Sequence, residues 1–571
     1  MPGGLLSLVC YGNENVLISG NPQITWFYKI FQRYTHFSQE PIQISLDGPD
    51  QLRTDAPITL KALIPRSADL LSDLTLRLTL PDIYSKVYTD AFDNLVRDYE
   101  FAWVRQLGAR IIQTLTVTIG GQVIQEFTGE WIATRAALDL DSDQYHKWQA
   151  MVGDTATYFD PANGIYSDPA NAGLPYTPPN PNPSYPSVTL WAPPGVPVPQ
   201  QSNNPSIPGR ILRIPLGLWF SDYIANSLPL VALQYHQMEV TLVLAPIRNL
   251  YTVLDPSGVR LRPGVRSLPY LPTDQYTMTY NPALYGPLPA TLNNLYGSYT
   301  DLSGSMRFFL TDIGGPVPAF DGWPLNATLE GLYTYVQQEE QHAFVSKTLR
   351  YNVRQAQNFV ESGVSTRNVY RLDVHNISPR IVWFARRSDA LPYRNQPGNL
   401  TNWINSAASQ RPYVTPLSGQ PNYVYNTANP GVQYALGRSG ILLPGQQREI
   451  LRNAFITANG TPLLDSNDSG YFGEYVPYRY LKGNSVAFQN YGLSSQSELW
   501  PLYAYSFSLD PADAEQPRGT LNTSRIDRLE LDLDVFPIPV GANYTYELQI
   551  YVEILNFLEI SSGLGGLKFA T

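Results

Sequence analysis

Five histidines are spread along the chain, at His36, His146, His236, His342 and His375. They form neither an H-x-H pair nor an H-E-x-x-H run, so the spacings that hold a catalytic or structural transition metal are missing. Asp139, Asp141 and Asp143 make a D-x-D-x-D run. A calcium loop of that kind needs Gly at its sixth position and Glu at its twelfth. Gln144 and Ala150 stand there instead, so solvated loop acids are the expectation. Asp465, Asn467 and Gly470 begin a second such run, but Val476 occupies the place of the required Glu. Gly563-Leu564-Gly565-Gly566 lies too close to the chain's last residue, Thr571, for the crossover helix of a dinucleotide site. Neither G-x-x-x-x-G-K-[ST] nor G-x-S-x-G occurs. No nucleophile, acid–base pair or ligand set emerges, so the chain is expected not to be an enzyme and to carry no cofactor and no metal.

The elements must therefore position something other than a reaction centre. Of 571 residues, 43% are hydrophobic, enough for a sizeable core, while only 15% are charged. There are 39 Tyr, and basic residues are 31 Arg against 7 Lys. A charge-poor, Tyr- and Arg-rich surface is interface material, because both side chains give large, fixed contacts. The net charge of −10 and the absence of a basic tail argue against direct nucleic-acid binding. Cys10 is the single cysteine, which fits folding in a reducing compartment. The N-terminal run lacks a basic flank, so no secretory signal is expected, and Pro2 excludes N-myristoylation. No window of 18 apolar residues predicts a spanning helix. Seven N-x-[ST] sequons, at Asn326, Asn376, Asn399, Asn459, Asn467, Asn522 and Asn543, read as chance occurrences in the absence of a secretory signal.

The dominant hydrophobic period is two. Leu74, Leu76, Leu78 and Leu80 alternate with Thr75, Arg77 and Thr79; Leu115, Val117 and Ile119 alternate with threonines and run into a Gly120-Gly121 turn, which predicts a hairpin. Leu529 to Val535 and Tyr546 to Ile554 alternate in the same way. Each pattern puts one face in a core and the other toward water or a neighbour. Further strands are expected at Ile24–Phe31, Ile58–Ile64, Met238–Leu244, Val369–His375 and Ile381–Ala385. Helix is expected at Tyr99–Leu107, closing at Gly108, and at Gln337–Leu349 as a connector. Residues 173–209 hold 12 Pro in 37 positions and must leave any sheet, and residues 254–300 and 388–432 are similar in character. The fold expected is all-β, a sandwich built twice with long interstrand loops.

Four segments, spread from end to end, carry a resemblance. The first is Gly20-Asn21-Pro22-Gln23-Ile24-Thr25-Trp26-Phe27, followed by Arg33-Tyr34-Thr35-His36-Phe37; the second is Leu228-Pro229-Leu230-Val231-Ala232-Leu233-Gln234-Tyr235-His236. The third runs from Tyr503-Ala504-Tyr505 through Asp510-Pro511 and Gln516-Pro517 to Ser524-Arg525-Ile526-Asp527, and the fourth is Ser561-Ser562-Gly563-Leu564-Gly565-Gly566-Leu567. Together they resemble the major capsid proteins of nucleocytoplasmic large DNA viruses. The resemblance implies two consecutive eight-stranded antiparallel jelly rolls: an arm over 1–20, a first roll over 21–338 with the Pro-rich insert, a linker helix over 339–350, a second roll over 351–560 and a tail over 561–571. It further implies homotrimers of pseudo-sixfold outline tiling an icosahedral shell in the virion. The partners implied are other copies of the chain, minor capsid and penton proteins, and an internal membrane by proximity, with no direct nucleic-acid contact. Two alternatives stand beside it: a transient assembly scaffold, and a glycan-binding jelly roll using Trp191, Trp323 or Trp403.

Overall fold

The computed structural model describes residue 4 and residues 12–23, 33–84, 87–89, 95–97, 100–159, 205–254, 260–263, 305–311, 316–392, 395–400, 402, 449–483, 501–513, 515–538 and 544–569. The expected strand Ile24–Phe31, the insert up to residue 204, and most of 254–300 and 388–432 lie outside them.

The first half is built from β1 (Phe37–Ser45), β2 (Ile58–Leu63), β3 (Leu70–Leu80), β4 (Ile112–Ile119), β5 (Gln122–Thr128), β6 (Arg210–Pro215), β7 (Met238–Leu244) and β8 (Thr328–Val336). One sheet runs β1-β8-β3-β6 and the facing sheet runs β2-β7-β4-β5, every pairing antiparallel. The second half has β9 (Leu349–Val364), β10 (Asn368–Leu372), β11 (Ile377–Arg387), β12 (Leu451–Ala458), β13 (Thr461–Asp468), β14 (Tyr503–Ser506), β15 (Leu529–Val535) and β16 (Tyr546–Ser561). Its sheets run β9-β16-β11-β14 and β10-β15-β12-β13. The second order repeats the first with each strand advanced by eight, so the chain builds one topology twice. Short strands add to this frame: Leu228–Pro229 pairs with β3, Leu521–Asn522 with β11, and Leu564–Leu567 with β16.

The period-two patterns account for most of these strands. Leu74, Leu76 and Leu78 of β3 are fully buried, as are Leu115, Val117 and Ile119 of β4. Gly120 and Gly121 close the β4–β5 hairpin with φ of 58° and 83°, left-handed values that glycine adopts without a Cβ penalty.

Helix was the weaker inference. Within Tyr99–Leu107, Glu100–Trp103 is a strand paired with Tyr251–Leu254, and the helix is confined to Leu107–Ile111. Phe101 stacks on Tyr251 with ring centroids 4.8 Å apart, and burial of these aromatics overrides local helix preference. Gly108 lies inside that short helix rather than capping it, pressed against Ile214 and Val152. Two helices that the residue pattern did not announce follow β5: α1 (Gly129–Asp139), capped by the Thr128 hydroxyl, and α2 (Ser142–Met151), capped by the Asp141 carboxylate. The connector is α3 (Gln338–Ser346), with Glu339 and Glu340 in its first turn, where they suit the helix dipole.

One apolar cluster fills the first sandwich and extends to Val382, Phe384 and Tyr551 on the second; another fills the second sandwich around Trp383, Leu531 and Ile550. Strands β11 and β16 are consequently buried on both faces for most of their length.

Candidate functional site

The junction between the halves is where charged residues concentrate out of water. Helix α1 starts directly after β5 and lies against the outer face of the β9-β16-β11-β14 sheet, with the Trp131 and Tyr551 rings 4.9 Å apart. Its last residue, Asp139, accepts two hydrogen bonds from the Arg380 guanidinium, the Nη2–Oδ2 distance being 2.9 Å. Arg380 Nε donates to Glu553 at 2.6 Å, and Arg354 bridges Glu553 and Asp139. Arg135, one turn before Asp139, adds a bond to Asp222 and another to the Gly217 carbonyl. A second set lies alongside: Arg386 reaches Glu130 at 2.7 Å and Glu547 at 3.1 Å, and Arg110 reaches Glu130 at 2.8 Å.

Such groups tolerate burial only when paired and hydrogen-bonded. Arg380 is wholly inaccessible. Burial pushes the carboxyls of Asp139, Glu553 and Glu130 upward, but the adjacent guanidiniums outweigh it. Arg380, Arg354 and Arg135 hold Asp139 below its ordinary value; Arg354 and Arg380 do the same for Glu553, as do Arg386 and Arg110 for Glu130. The carboxylates stay charged and the arrangement works as an electrostatic lock. Backbone contacts extend it: Gln125 donates to the Arg354 carbonyl and Gln355 to the Ile124 carbonyl, both at 2.6 Å.

Two of the four sequence motifs meet at another part of this junction. Tyr235 N–H donates to the Gly563 carbonyl at 3.0 Å, and His236 Nδ1 lies 2.9 Å from the Gly565 carbonyl and 3.2 Å from its N–H. A Cβ on Gly565 would come 2.8 Å from Leu233, and one on Gly563 would come 2.7 Å from the Tyr235 ring. Gly120 leaves room for the His236 ring, Gln122 accepts from Leu567 N–H, and Arg66 donates to the carbonyls of Gln234 and His236. Leu228 and Pro229 anchor the start of this motif on Leu71 and Leu70. Gly566 follows with its would-be Cβ toward Gln122.

The remaining motif residues lie elsewhere. Gly20, Asn21, Pro22 and Gln23 are exposed, and Ile24 and Thr25 fall outside the described residues. The Ser524 hydroxyl accepts from Asn376 N–H at 2.8 Å and the Asp527 carbonyl accepts from Arg371, fixing the turn that precedes β11; Ile526 packs on the second core and Arg525 is exposed. The D-x-D-x-D run is split among three tasks: Asp139 in the ionic junction, Asp141 as helix cap, Asp143 in the first turn of α2. Among the described residues no three His, Cys, Asp or Glu side chains are grouped to hold a metal. The sugar-stacking expectation for Trp323 does not hold: the ring is 4% exposed and its Nε1 donates to the Thr79 carbonyl. Trp191 and Trp403 are outside the described residues. Residue pattern alone missed Arg354, Arg380 and Glu553, since nothing local marks arginines on different strands as neighbours.

Residues 25–270 match the family described as major capsid protein N-terminus, and residues 340–566 match that described as large eukaryotic DNA virus major capsid protein. Over 640 residues, covering all of both chains, the protein is 25% identical to the major capsid protein of Chrysochromulina ericina virus. It is 24% identical over 613 residues to that of Phaeocystis pouchetii virus, again with both chains covered completely. The solved Faustovirus major capsid protein superposes with a TM-score of 0.58 at 13% identity, covering 96% of this chain and 94% of that one. The fold is thus a double jelly roll, and the relatives are structural proteins, not enzymes. Both halves match the family and relatives align from end to end, so this chain belongs to the major capsid proteins of the large eukaryotic DNA viruses.

Proposed function

We propose that the chain assembles as a homotrimeric capsomer of pseudo-hexagonal outline, and that trimers tile the icosahedral shell of a large double-stranded DNA virus. The observation that carries this reading is the repeated topology: the same two-sheet order occurs twice in one chain, so three chains present six equivalent units. The ionic junction fixes the two units relative to each other, which a tile requires. On this reading residues 21–338 and 351–560 are the two rolls, 339–350 the linker, 1–20 an arm and 561–571 a tail that clamps one roll to the other. The motif residues Leu233, Tyr235, His236, Gly563 and Gly565 act in that clamp, and Ser524 and Asp527 brace the second roll. Partners are other trimers, minor capsid and penton proteins, and by proximity an internal membrane. A net charge of −10 suits a shell that makes no direct contact with the genome. Assembly takes place in a reducing compartment of the infected cell. Light scattering and negative-stain microscopy of the purified protein test the reading: trimers of hexagonal outline are expected, and a monomer at micromolar concentration overturns it.

A further inference from the structure

Among the described residues, the repeated topology leaves one surface uncovered whose counterpart is covered. In the second roll the outer face of β9-β16-β11-β14 is occupied by the ridge that follows β5 of the first roll, namely α1. In the first roll the equivalent face, β1-β8-β3-β6, carries no comparable helix among the described residues. Thr75, Arg77 and Thr79 of β3 and Thr328, Glu330 and Leu332 of β8 are half-exposed there, and Ile211 and Arg213 of β6 are exposed.

The equivalent ridge of the second roll is covered only in part, with Tyr471, Tyr480 and Leu481 packed against the first apolar cluster. Directly after β13 come the helical turns Tyr471–Tyr475 and Val476–Tyr480. Phe472 is buried in the core of the second roll and Val476 in the cluster that extends from the first roll, while Tyr475 is 53% and Tyr478 87% exposed. Two large aromatics turned to solvent on a short, anchored ridge, Tyr475 stacked on Tyr471 with centroids 5.4 Å apart, have the character of interface anchors.

Charge matches the two surfaces. In the covered face, Arg354 and Arg380 flank Glu553, and Asp139 from the ridge supplies the second acid. In the uncovered face, Arg77 and Arg213, paired across β3 and β6, both approach Glu330, at 3.7 and 3.1 Å, and no second acid among the described residues joins them. Arg77 Nε is buried with no hydrogen-bond partner among the described residues. Asp73, four residues before Arg77 on the same strand, directs its carboxylate to the Leu74 N–H. On the ridge, Glu474 is exposed and forms no ion pair with a described residue.

We infer that the ridge Tyr471–Tyr480 of one copy docks on the outer β1-β8-β3-β6 face of the next, with Glu474 meeting Arg77 and Arg213 as Asp139 meets Arg354 and Arg380 within the chain. This contact rests on the homotrimer reading above and deepens it. It is heterologous, ridge to face, and such a contact closes into a ring of three when the rotation between copies is one third of a turn. Glu474 and Arg213 are surface residues, so their exchange leaves the monomer fold intact, which circular dichroism checks.

The test compares the parent chain with E474R, R213E and the double variant by light scattering across a dilution series. Each single variant is expected to raise the concentration at half-dissociation at least tenfold, and the double variant to recover most of that loss. A second arm places E474C with R213C in a C10S background, and oxidation should give a covalent ladder ending at three chains. Trimers that ignore both single charge reversals, or a cysteine pair that never crosslinks between chains, overturn this contact while leaving the trimer in place. A parent that is monomeric throughout overturns the trimer itself, and the contact with it.

Discussion

Asp139 and Arg380 form a two-point ion pair across 241 positions of sequence, joining the end of the first roll's helix to the central strand of the second. Arg380 has no access to water, so the pair is part of an internal lock rather than a surface decoration. Surface pairs contribute little to stability, but breaking a buried pair leaves one charge stranded.

Replacing Asp139 by Ala is therefore expected to destabilise the junction by about 3–5 kcal/mol, the typical cost of an uncompensated buried charge. Asp139→Asn, which keeps one acceptor, should cost less. Removing both charges with Asp139→Asn and Arg380→Met should recover part of the loss. Urea unfolding of the parent, Asp139→Asn, Arg380→Met and the double variant measures this; additive losses would show that the residues do not act as a pair.

Acid should loosen the same junction. Asp139, Glu553 and Glu130 have folded-state affinities for protons held below their ordinary values of 3.8, 4.5 and 4.5. A depressed carboxyl contributes stability that is complete above its unfolded value and is lost as pH falls through the folded one. Stability should be flat near neutrality and decline from about pH 4.5 downward, with Asp139→Asn declining less steeply. Thermal melts from pH 7 to pH 3 check the sign; a gain in stability on acidification contradicts the assignment.

What was legible in the sequence follows from period. Met238–Leu244 is a strand with the expected bounds because its alternating residues face core and solvent in turn. Tyr546 to Ile554 showed the same alternation, but its second face, with Gln549, Tyr551 and Glu553, is buried against α1 and its surroundings. A polar residue facing a neighbouring unit looks like one facing water until the neighbour is placed. For that reason the tail motif and the Leu228–His236 motif were both visible as motifs, while their meeting was not. Helix α1 escaped notice because its apolar face serves a tertiary contact rather than a strong amphipathic stripe.

The chain should be indifferent to reductant and chelator. Cys10 has no intrachain partner, and among the described residues no acid or histidine cluster could bind a metal. Melting temperatures with dithiothreitol or EDTA should match the untreated protein. A drop of several degrees in EDTA would reveal a cation site outside the described residues.

The tail clamp makes a graded prediction. A Cβ at Gly565 would sit 2.8 Å from Leu233 and 3.4 Å from Ile119, both held in the core of the first roll. A Cβ at Gly566 would meet only the Gln122 side-chain amide at 3.1 Å, the far end of a side chain that can move. Gly565→Ala should therefore cost about 1–3 kcal/mol, the usual penalty of forcing a methyl into packed surroundings, and Gly566→Ala clearly less. Gly563→Ala adds backbone strain at φ 83° to a close approach on Tyr235, and should rank with Gly565→Ala. The clamp joins the tail to the first roll, so the loss should appear first as faster proteolysis after Ser561, ahead of any change in the melting of the second roll. Limited proteolysis with mass readout of the released tail gives the order. Equal sensitivity of the three variants would mean that the tail is held by its pairing with β16 alone and that the Leu233–His236 motif does not secure it.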